Sequence, residues 1–201
     1  MPASPNKDAQ APKRQRGHLR VAAIMEAAMQ VFTEKGFDAA TMTEIAARSA
    51  TAIGSMYRFF PSKEALADAL LLQYAHYATS HLAELEQTMA GKTPADVAKA
   101  LVGFTQALQL QRRFAISLVD ARSSGEARRA QFRATLRDGI ARILRKAAPD
   151  LSEPEAQRRA IVVSYILKTL GNVQQEDPAI QAELTGEIEG VLRGYLGSRP
   201  A

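Results

Sequence analysis

The chain has no cysteine and no tryptophan, so it can form neither disulfides nor thiolate metal sites. It also lacks a long apolar run. The densest one, residues 161–170, is interrupted by Ser164 and Lys168 and is about half the ~20 residues that a membrane helix needs. The first twenty residues are polar and basic, without the apolar segment of a signal peptide. These absences predict a soluble, cytoplasmic protein.

Recognisable catalytic motifs are missing as well. The three histidines form no HExxH pattern, and no nucleophile elbow is present. Gly91-Lys92-Thr93 looks like the end of a phosphate loop, but the glycine required five residues earlier is Glu86. His76 and His81 would point about 140° apart on a helix, which is unsuitable for chelation. The sequence therefore predicts no enzyme activity, no metal site and no cofactor.

Positive charge is concentrated at the N-terminal end. The net charge is +5, and residues 1–63 supply +4 of it, with nine Lys and Arg against five Asp and Glu. A basic segment attached to a nearly neutral body suggests an anionic partner for that segment. A solubilising tail would carry the same charge, so composition leaves both readings open.

Apolar residues recur at spacings of three and four, which predicts an all-α chain. Residues 1–17 are expected to be a disordered basic arm. Nine helices are expected after it, three short ones and then a bundle of six, with separate helices over 94–108 and 112–122. Gly36 is expected to stop the first helix, and capping boxes are expected at Thr41 and Ser152. The predicted domains are 18–78 and 79–201.

Residues 41–60 have the pattern of a helix-turn-helix, whose second helix can lie in the DNA major groove. The inward positions are Ile45, Ala46, Met56 and Phe60, and small Ala46 and Ala50 would allow the helices to cross closely. The side chains left pointing outward are Thr51, Ala52, Ile53 and Ser55. Tyr57 and Lys63 can donate to phosphate oxygens. Any three-helix core could show this periodicity, so the pattern leaves DNA binding open.

One segment resembles the DNA-binding domain of the TetR family of transcriptional regulators: AAIMEAAMQVFTEKGFDAATMTEIAARSATAIGSMYRFFPSKEAL. The match covers about Leu19 to Leu70, and its most specific parts are FTEKGFDAAT, IAARS and YRFFPSKEAL. It implies a TetR-like fold, with an N-terminal three-helix helix-turn-helix domain and a C-terminal helical ligand-binding and dimerisation bundle. It also implies a sequence-specific DNA-binding regulator, usually a repressor, which binds a palindromic operator as a homodimer and is released by a small-molecule effector.

The alternative function is a helical interaction module or small-molecule-binding bundle without specific DNA binding. Such a module would account for the bundle, but not for the basic bias or for the YRFFPSK stretch.

The resemblance also implies residue roles. The positions that match phosphate contacts are Thr41, Tyr57 and Lys63. The positions that match base-edge contacts are Thr43, Ala52, Ile53, Gly54 and Ser55, and Thr51 joins the predicted DNA-binding set beside them.

Positions 50–53 depart from the family pattern, which commonly has Gly, Val, Ser and Lys there. Ala50 requires a backbone that avoids the conformations reserved for glycine. Ala52 and Ile53 present methyl groups, which read the thymine methyl in the major groove, whereas the missing lysine lowers the expected salt dependence. The alternative is that Ile53 packs against Ile45 or Met42.

The C-terminal domain yields two further predicted sets. The predicted dimer interface, on the last two helices, is Ile161, Tyr165, Ile180, Leu184, Ile188, Val191 and Tyr195; the alternative is that these helices pack only within their own bundle. The candidate ligand-binding residues are Tyr74, Tyr77, His81, Gln106, Gln109, Arg113, Ser117 and Asp120; the alternatives are a core role for the aromatic residues and a solvated face for the others.

Overall fold

A computed structural model of the chain describes the backbone of residues 13–120 and 125–198 and the side chains of 15–108 and 130–198. Within those residues the chain forms eight helices and no strand, which confirms the all-α prediction. The helices are α1 (Lys13–Ala39), α2 (Met42–Arg48), α3 (Ile53–Phe59), α4 (Lys63–Thr88), α5 (Pro94–Asp120), α6 (Gly125–Ala147), α7 (Glu153–Val173) and α8 (Pro178–Gly197).

Two helices differ from the sequence prediction. α5 is continuous, so the separate helices expected over 94–108 and 112–122 are one; residues 109–113 contain no glycine or proline that would break it. α1 begins at Lys13 rather than at Leu19, because the lysine, arginine and glutamine residues at its start are good helix formers. The rest of the predicted disordered arm, residues 1–12, lies outside the described residues.

The chain divides into two compact units, the first ending at Leu70 and the second beginning at Leu71. The division falls inside α4, as did the boundary predicted after residue 78. The first unit has one core, to which all four of its helices contribute. Its largest fully buried side chains are Ile24, Val31, Phe32, Ile45, Met56, Leu66 and Leu70. Each such side chain stabilises the fold by roughly 1.5–3 kcal/mol.

Local signals define the connection from α1 to α2. Gly36 adopts φ 78° and ψ 168°, which interrupts α1 as predicted. The capping box at Thr41 is present: the Glu44 amide donates to the Thr41 hydroxyl at 3.2 Å, and the Thr41 amide donates to the Glu44 carboxylate at 3.2 Å. These bonds satisfy amides that a helix start would otherwise leave without partners.

The turn between α2 and α3 is a Schellman motif. The Ala50 amide donates to the Ala47 carbonyl at 3.2 Å and the Thr51 amide to the Ala46 carbonyl at 2.9 Å, so α2 ends with the expected pair of bonds. Ala50 has φ 49°, in the left-handed region, and it is exposed. The expectation that Ala50 avoids this region and packs at a helix crossing is therefore wrong, because the motif requires a left-handed residue at this position.

The second unit is built mainly from α5 to α8. α6 packs extensively on α7, and α8 packs on α5 and α7. Its core includes Leu101, Ile143, Val163 and Leu192. At Gly139 on α6, a Cβ atom would lie 2.7 Å from Leu82 Cδ1, so a larger residue there would force the Leu82 side chain to move.

Three other helices begin at residues whose side chains accept a hydrogen bond from a backbone amide of the first turn. Ser62 accepts from the Ala65 amide at 3.1 Å, Thr93 from the Asp96 amide at 3.2 Å, and Asp177 from the Ala179 amide at 2.9 Å. The capping box expected at Ser152 is wrong, because the Ser152 side chain makes no capping bond. Glu155 lies instead with its Oε1 3.6 Å from the Nε of Arg159, one turn further along α7.

Ala50→Gly is expected to stabilise the protein. A non-glycine residue in the left-handed region costs about 1 kcal/mol, and glycine removes that cost. We expect the melting temperature to rise by about 2–4 °C, measured by thermal unfolding followed by circular dichroism. Ala47→Gly, at an exposed helical position of α2, is the matched control and is expected to lower it. A decrease in both variants would contradict the strain assigned to Ala50.

Candidate nucleic-acid interface

Two buried side chains hold α3 against the first unit. Met56 is fully buried and Phe60 nearly so. Ala52 directly precedes the helix, and its carbonyl accepts from the amides of Ser55 at 2.8 Å and Met56 at 3.0 Å; no side chain caps the helix. Because a seven-residue helix is marginal by itself in water, its position depends on these two anchors, and its other faces are left outward.

The outward surface of α3 is largely apolar. Ala52, Ile53 and Gly54 are exposed at its start, and Tyr57 follows one turn later. The exposed fraction of Ile53 is 41% and that of Tyr57 is 49%. Ile53 is therefore not a core residue, which disfavours the alternative in which it packs as one against Ile45 or Met42. Ser55, also predicted to face outward, is half-buried.

Thr51 differs from its predicted role. Its exposed fraction is only 7%, and its hydroxyl donates to the Ser49 carbonyl at 3.2 Å. In a Schellman motif the residue after the left-handed position packs back on the end of the helix, and Thr51 occupies that place. The prediction that Thr51 faces outward toward DNA is wrong for this reason, and Thr51 does not cap α3 either.

Arg58 was missed by the sequence reasoning, although it is exposed on α3. Its Nη2 donates to the Ser55 hydroxyl at 3.1 Å, which keeps the guanidinium beside the outer turn of the helix. The available signal was spacing: Arg58 lies four residues after Gly54, and such residues share a helix face. The positive charge of α3 is thus on its outward side.

The start of α2 carries Thr41 and Thr43, both exposed as predicted. The Thr41 hydroxyl accepts from the Glu44 amide and also donates to the Glu44 carboxylate at 3.0 Å. An ion pair with Lys35 and the bonds from Thr41 hold the pKa of the Glu44 carboxyl below its usual range. A second ion pair joins Arg48 of α2 to Glu34 of α1 at 2.6 Å, so charged pairs fix α2 against α1.

Lys63 was predicted to contact a DNA phosphate, but its ammonium is occupied within the protein. Its Nζ donates to the carbonyls of Phe37 at 2.7 Å, Asp38 at 3.0 Å and Ala40 at 3.0 Å. It also lies 4.6 Å from the centre of the Phe37 ring. An ammonium has three donors, and all three are used here. Lys63 therefore positions the α1–α2 connection, and in this arrangement it has no donor left for a phosphate.

The candidate ligand-binding residues are only partly described. The Tyr74 side chain is buried, with its ring 5.4 Å from that of Phe132. Tyr77 and His81 are half-buried with their rings 4.1 Å apart, and Gln106 is exposed. The side chains of Gln109, Arg113, Ser117 and Asp120 lie outside the described residues. Tyr74 has the packing of the core alternative, whereas Tyr77 and His81 are only half-buried, and the ligand site stays a prediction.

The predicted dimer residues mark an apolar surface on α7 and α8. The α7–α8 face, as we name it, has exposed members Ile161, Tyr165, Ile180 and Val191 and half-buried members Leu184, Ile188 and Tyr195. Tyr165 and Val191 are each 60% exposed. Exposed Val162, which the sequence reasoning omitted, lies beside Ile161. The packing of α7 and α8 within the unit therefore leaves much of this surface open.

Among the residues that the structure describes, no three His, Asp or Glu side chains form a group that could hold a metal ion. None of the helices in the described part of the chain has the length and apolarity needed to cross a membrane.

Comparison with known proteins supports the interpretation of residues 24–70, which match the family model for bacterial regulatory proteins of the tetR family. The HTH-type transcriptional regulator UidR of Escherichia coli K12 is 26% identical over 183 residues, covering 86% of this chain and 91% of UidR. The uncharacterized HTH-type regulator YerO of Bacillus subtilis is 34% identical over 80 residues, covering 40% of this chain but only 28% of YerO.

Solved structures share the fold. A TetR-like transcriptional regulator from Rhodococcus sp. RHA1 superposes with a TM-score of 0.64 at 19% identity, covering 94% of this chain and 100% of that one. Salmonella enterica GusR gives a TM-score of 0.63 at 22% identity, covering 94% and 97%.

The helix-turn-helix with its outward α3, followed by a helical second unit, defines the class of helix-turn-helix transcriptional regulators. The match over residues 24–70 identifies this segment as similar to the DNA-binding domain of the tetR family.

Lys63→Met is expected to destabilise the first unit without changing the salt dependence of DNA binding. Methionine keeps an unbranched side chain but leaves three carbonyls without their donor, at a cost of about 2 kcal/mol or more. The melting temperature should fall by at least about 4 °C. Lys92→Met, at an exposed loop position, is the control.

Salt titrations of binding to duplex DNA distinguish the two roles of Lys63. A phosphate contact would lower the slope of log affinity against log salt by about 0.9 in Lys63→Met, and that decrease would contradict the positioning role.

Proposed function

We propose that this chain is a TetR-family repressor, which binds a palindromic DNA operator as a homodimer in the cytoplasm and is released by a small-molecule effector. The observation that carries DNA binding is the exposure of α3, which is anchored by Met56 and Phe60 and presents an unpaired surface to solvent. A short helix of this kind fits the major groove.

The composition of the α3 surface favours recognition by methyl groups. Ala52 and Ile53 expose methyls near the start of α3, where a recognition helix contacts base edges. The thymine methyl is the apolar group in the major groove. The Tyr57 hydroxyl can donate to a phosphate oxygen. We therefore expect each half-site to contain at least one thymine contacted by Ile53.

The α7–α8 face supports a homodimer. A contiguous apolar surface exposed on a monomer favours association, and two such helix pairs can form a four-helix bundle across a two-fold axis. A two-fold dimer requires half-sites about 34 Å apart on the DNA, which corresponds to a palindromic operator. The effector is expected to bind in the second unit and to weaken operator binding through a coupling free energy.

Selection from a random DNA library tests the proposed function. The full chain should enrich an inverted repeat, and fluorescence anisotropy should then show tighter binding to this DNA than to a scrambled duplex. Replacing the contacted thymine by uracil removes one methyl, worth about 0.8 kcal/mol, so affinity should fall about fourfold. Unchanged affinity with uracil would refute the Ile53 contact. Salt-labile binding without any enriched sequence would instead indicate the interaction module.

Val191→Glu tests the dimer. Val191 is among the most exposed members of the α7–α8 face, and a carboxylate there would be buried without a partner on association, at a cost of several kcal/mol. We expect a dimer for the wild type and a monomer for the variant by light scattering at micromolar concentration. Gln87→Glu, at an exposed position on α4, should leave the dimer intact. A wild-type monomer would refute the proposed assembly.

A further inference from the structure

Gly54 occupies an unfavourable place for a glycine. It is the second residue of α3, where glycine is among the least favourable residues for helix formation. Its φ is not in the left-handed region, and a Cβ atom built on it meets nothing within 4 Å. By contrast, Gly36 has positive φ and Gly139 contacts Leu82 closely. The surroundings of Gly54 within the chain therefore do not require a glycine.

The position of Gly54 on α3 separates it from glycines that are merely exposed. Met56 and Phe60 define the inward side of the helix. At 100° per residue, Gly54 and Arg58 lie on the opposite side, one turn apart. Gly103 on α5 has equally open surroundings but lies outside the helix-turn-helix. The outermost face of α3 thus carries Gly54, which has no side chain, and Arg58 one turn later.

The Arg58 side chain extends toward Gly54. Helical side chains slope toward the N-terminus of their helix, and the bond from Arg58 Nη2 to the Ser55 hydroxyl shows the guanidinium one turn before its own Cα. Because Gly54 has no side chain, an approaching surface can come directly against the backbone of α3 at this position. The outward end of the guanidinium therefore lies next to a flat stretch of helix.

The neighbouring cations are committed elsewhere. Lys35 pairs with Glu44, Arg48 pairs with Glu34, and Lys63 binds three carbonyls. Arg58 instead donates to a neutral hydroxyl, so its charge is not neutralised by that bond. An arginine can donate two parallel hydrogen bonds to O6 and N7 of guanine, the commonest specific contact in the major groove.

We propose that Gly54 is the point where α3 comes closest to DNA, and that this approach brings Arg58 onto a guanine edge of the half-site. The inference rests on the proposed function, which it deepens by adding a guanine to the thymine expected from Ile53. A side chain at position 54 holds the helix away from the base pairs and withdraws the guanidinium from hydrogen-bonding distance.

Gly54→Ala tests this role because its effects on stability and on binding have opposite signs. Alanine favours the helix and meets no neighbour, so the melting temperature should stay the same or rise by up to about 4 °C. Affinity for the library-selected DNA should fall at least tenfold, whereas affinity for a scrambled duplex should not change. Gly103→Ala is the matched control and should leave DNA affinity unchanged. Equal affinity of Gly54→Ala and wild type for the selected DNA, or a lowered melting temperature, overturns the proposal.

Arg58→Met and 7-deazaguanine test the second half of the proposal. Replacing the half-site guanine by 7-deazaguanine removes the N7 acceptor, so it should weaken wild-type binding but not binding by Arg58→Met. In a double-mutant cycle, Gly54→Ala and Arg58→Met together should lose no more affinity than the larger single loss. Fully additive losses overturn the link between the two residues. Failure of the wild type to enrich any sequence refutes the proposed function itself, and this is seen before any variant is made.

Discussion

The ammonium of Lys63 holds the first unit together at the point where α1, α2 and α4 meet. Because α1 ends at Ala39, the carbonyls of Phe37, Asp38 and Ala40 lack the partners that a continuing helix would supply. Lys63 donates to all three from the start of α4. Thr41, which directly follows Ala40, caps α2. The direction in which α2 leaves α1 therefore depends on a charged side chain whose bonds are directed inward.

The turn after α2 depends in the same way on a locally unfavourable residue. Ala50 accepts the left-handed conformation so that α2 can end in two regular hydrogen bonds and Thr51 can pack inward. α3 then starts without a side-chain cap and is held by Met56 and Phe60. Tertiary packing, rather than intrinsic propensity, stabilises such a short helix. Its outward residues are consequently not needed to hold α3 in place. Their chemistry therefore indicates what kind of partner the helix binds.

Some structural features that depend only on residues close together in the chain were predicted correctly from the sequence. The interruption at Gly36 and the capping box of Thr41 with Glu44 are confirmed, because each depends on residues that are close together in the chain. Lys63 was misassigned because its acceptors lie more than twenty residues away in the chain. Thr51 was misassigned because its burial follows from the backbone conformation of Ala50, which composition does not reveal. Arg58 was overlooked because the family resemblance directed attention to other positions.

These corrections change the meaning of the basic N-terminal segment. Its net charge of +4 suggested a general attraction to phosphate, yet Lys35, Arg48 and Lys63 each have partners within the first unit. Ion pairs and carbonyl bonds of this kind fix geometry, and they release few counterions when DNA binds, whereas each phosphate contact would release about one. The residues that remain outward on α3 are mostly apolar, with one arginine among them. Recognition by such a surface depends on shape and on a few base contacts, so its specificity comes from the outward residues of α3 and not from the three cations that are paired within the unit.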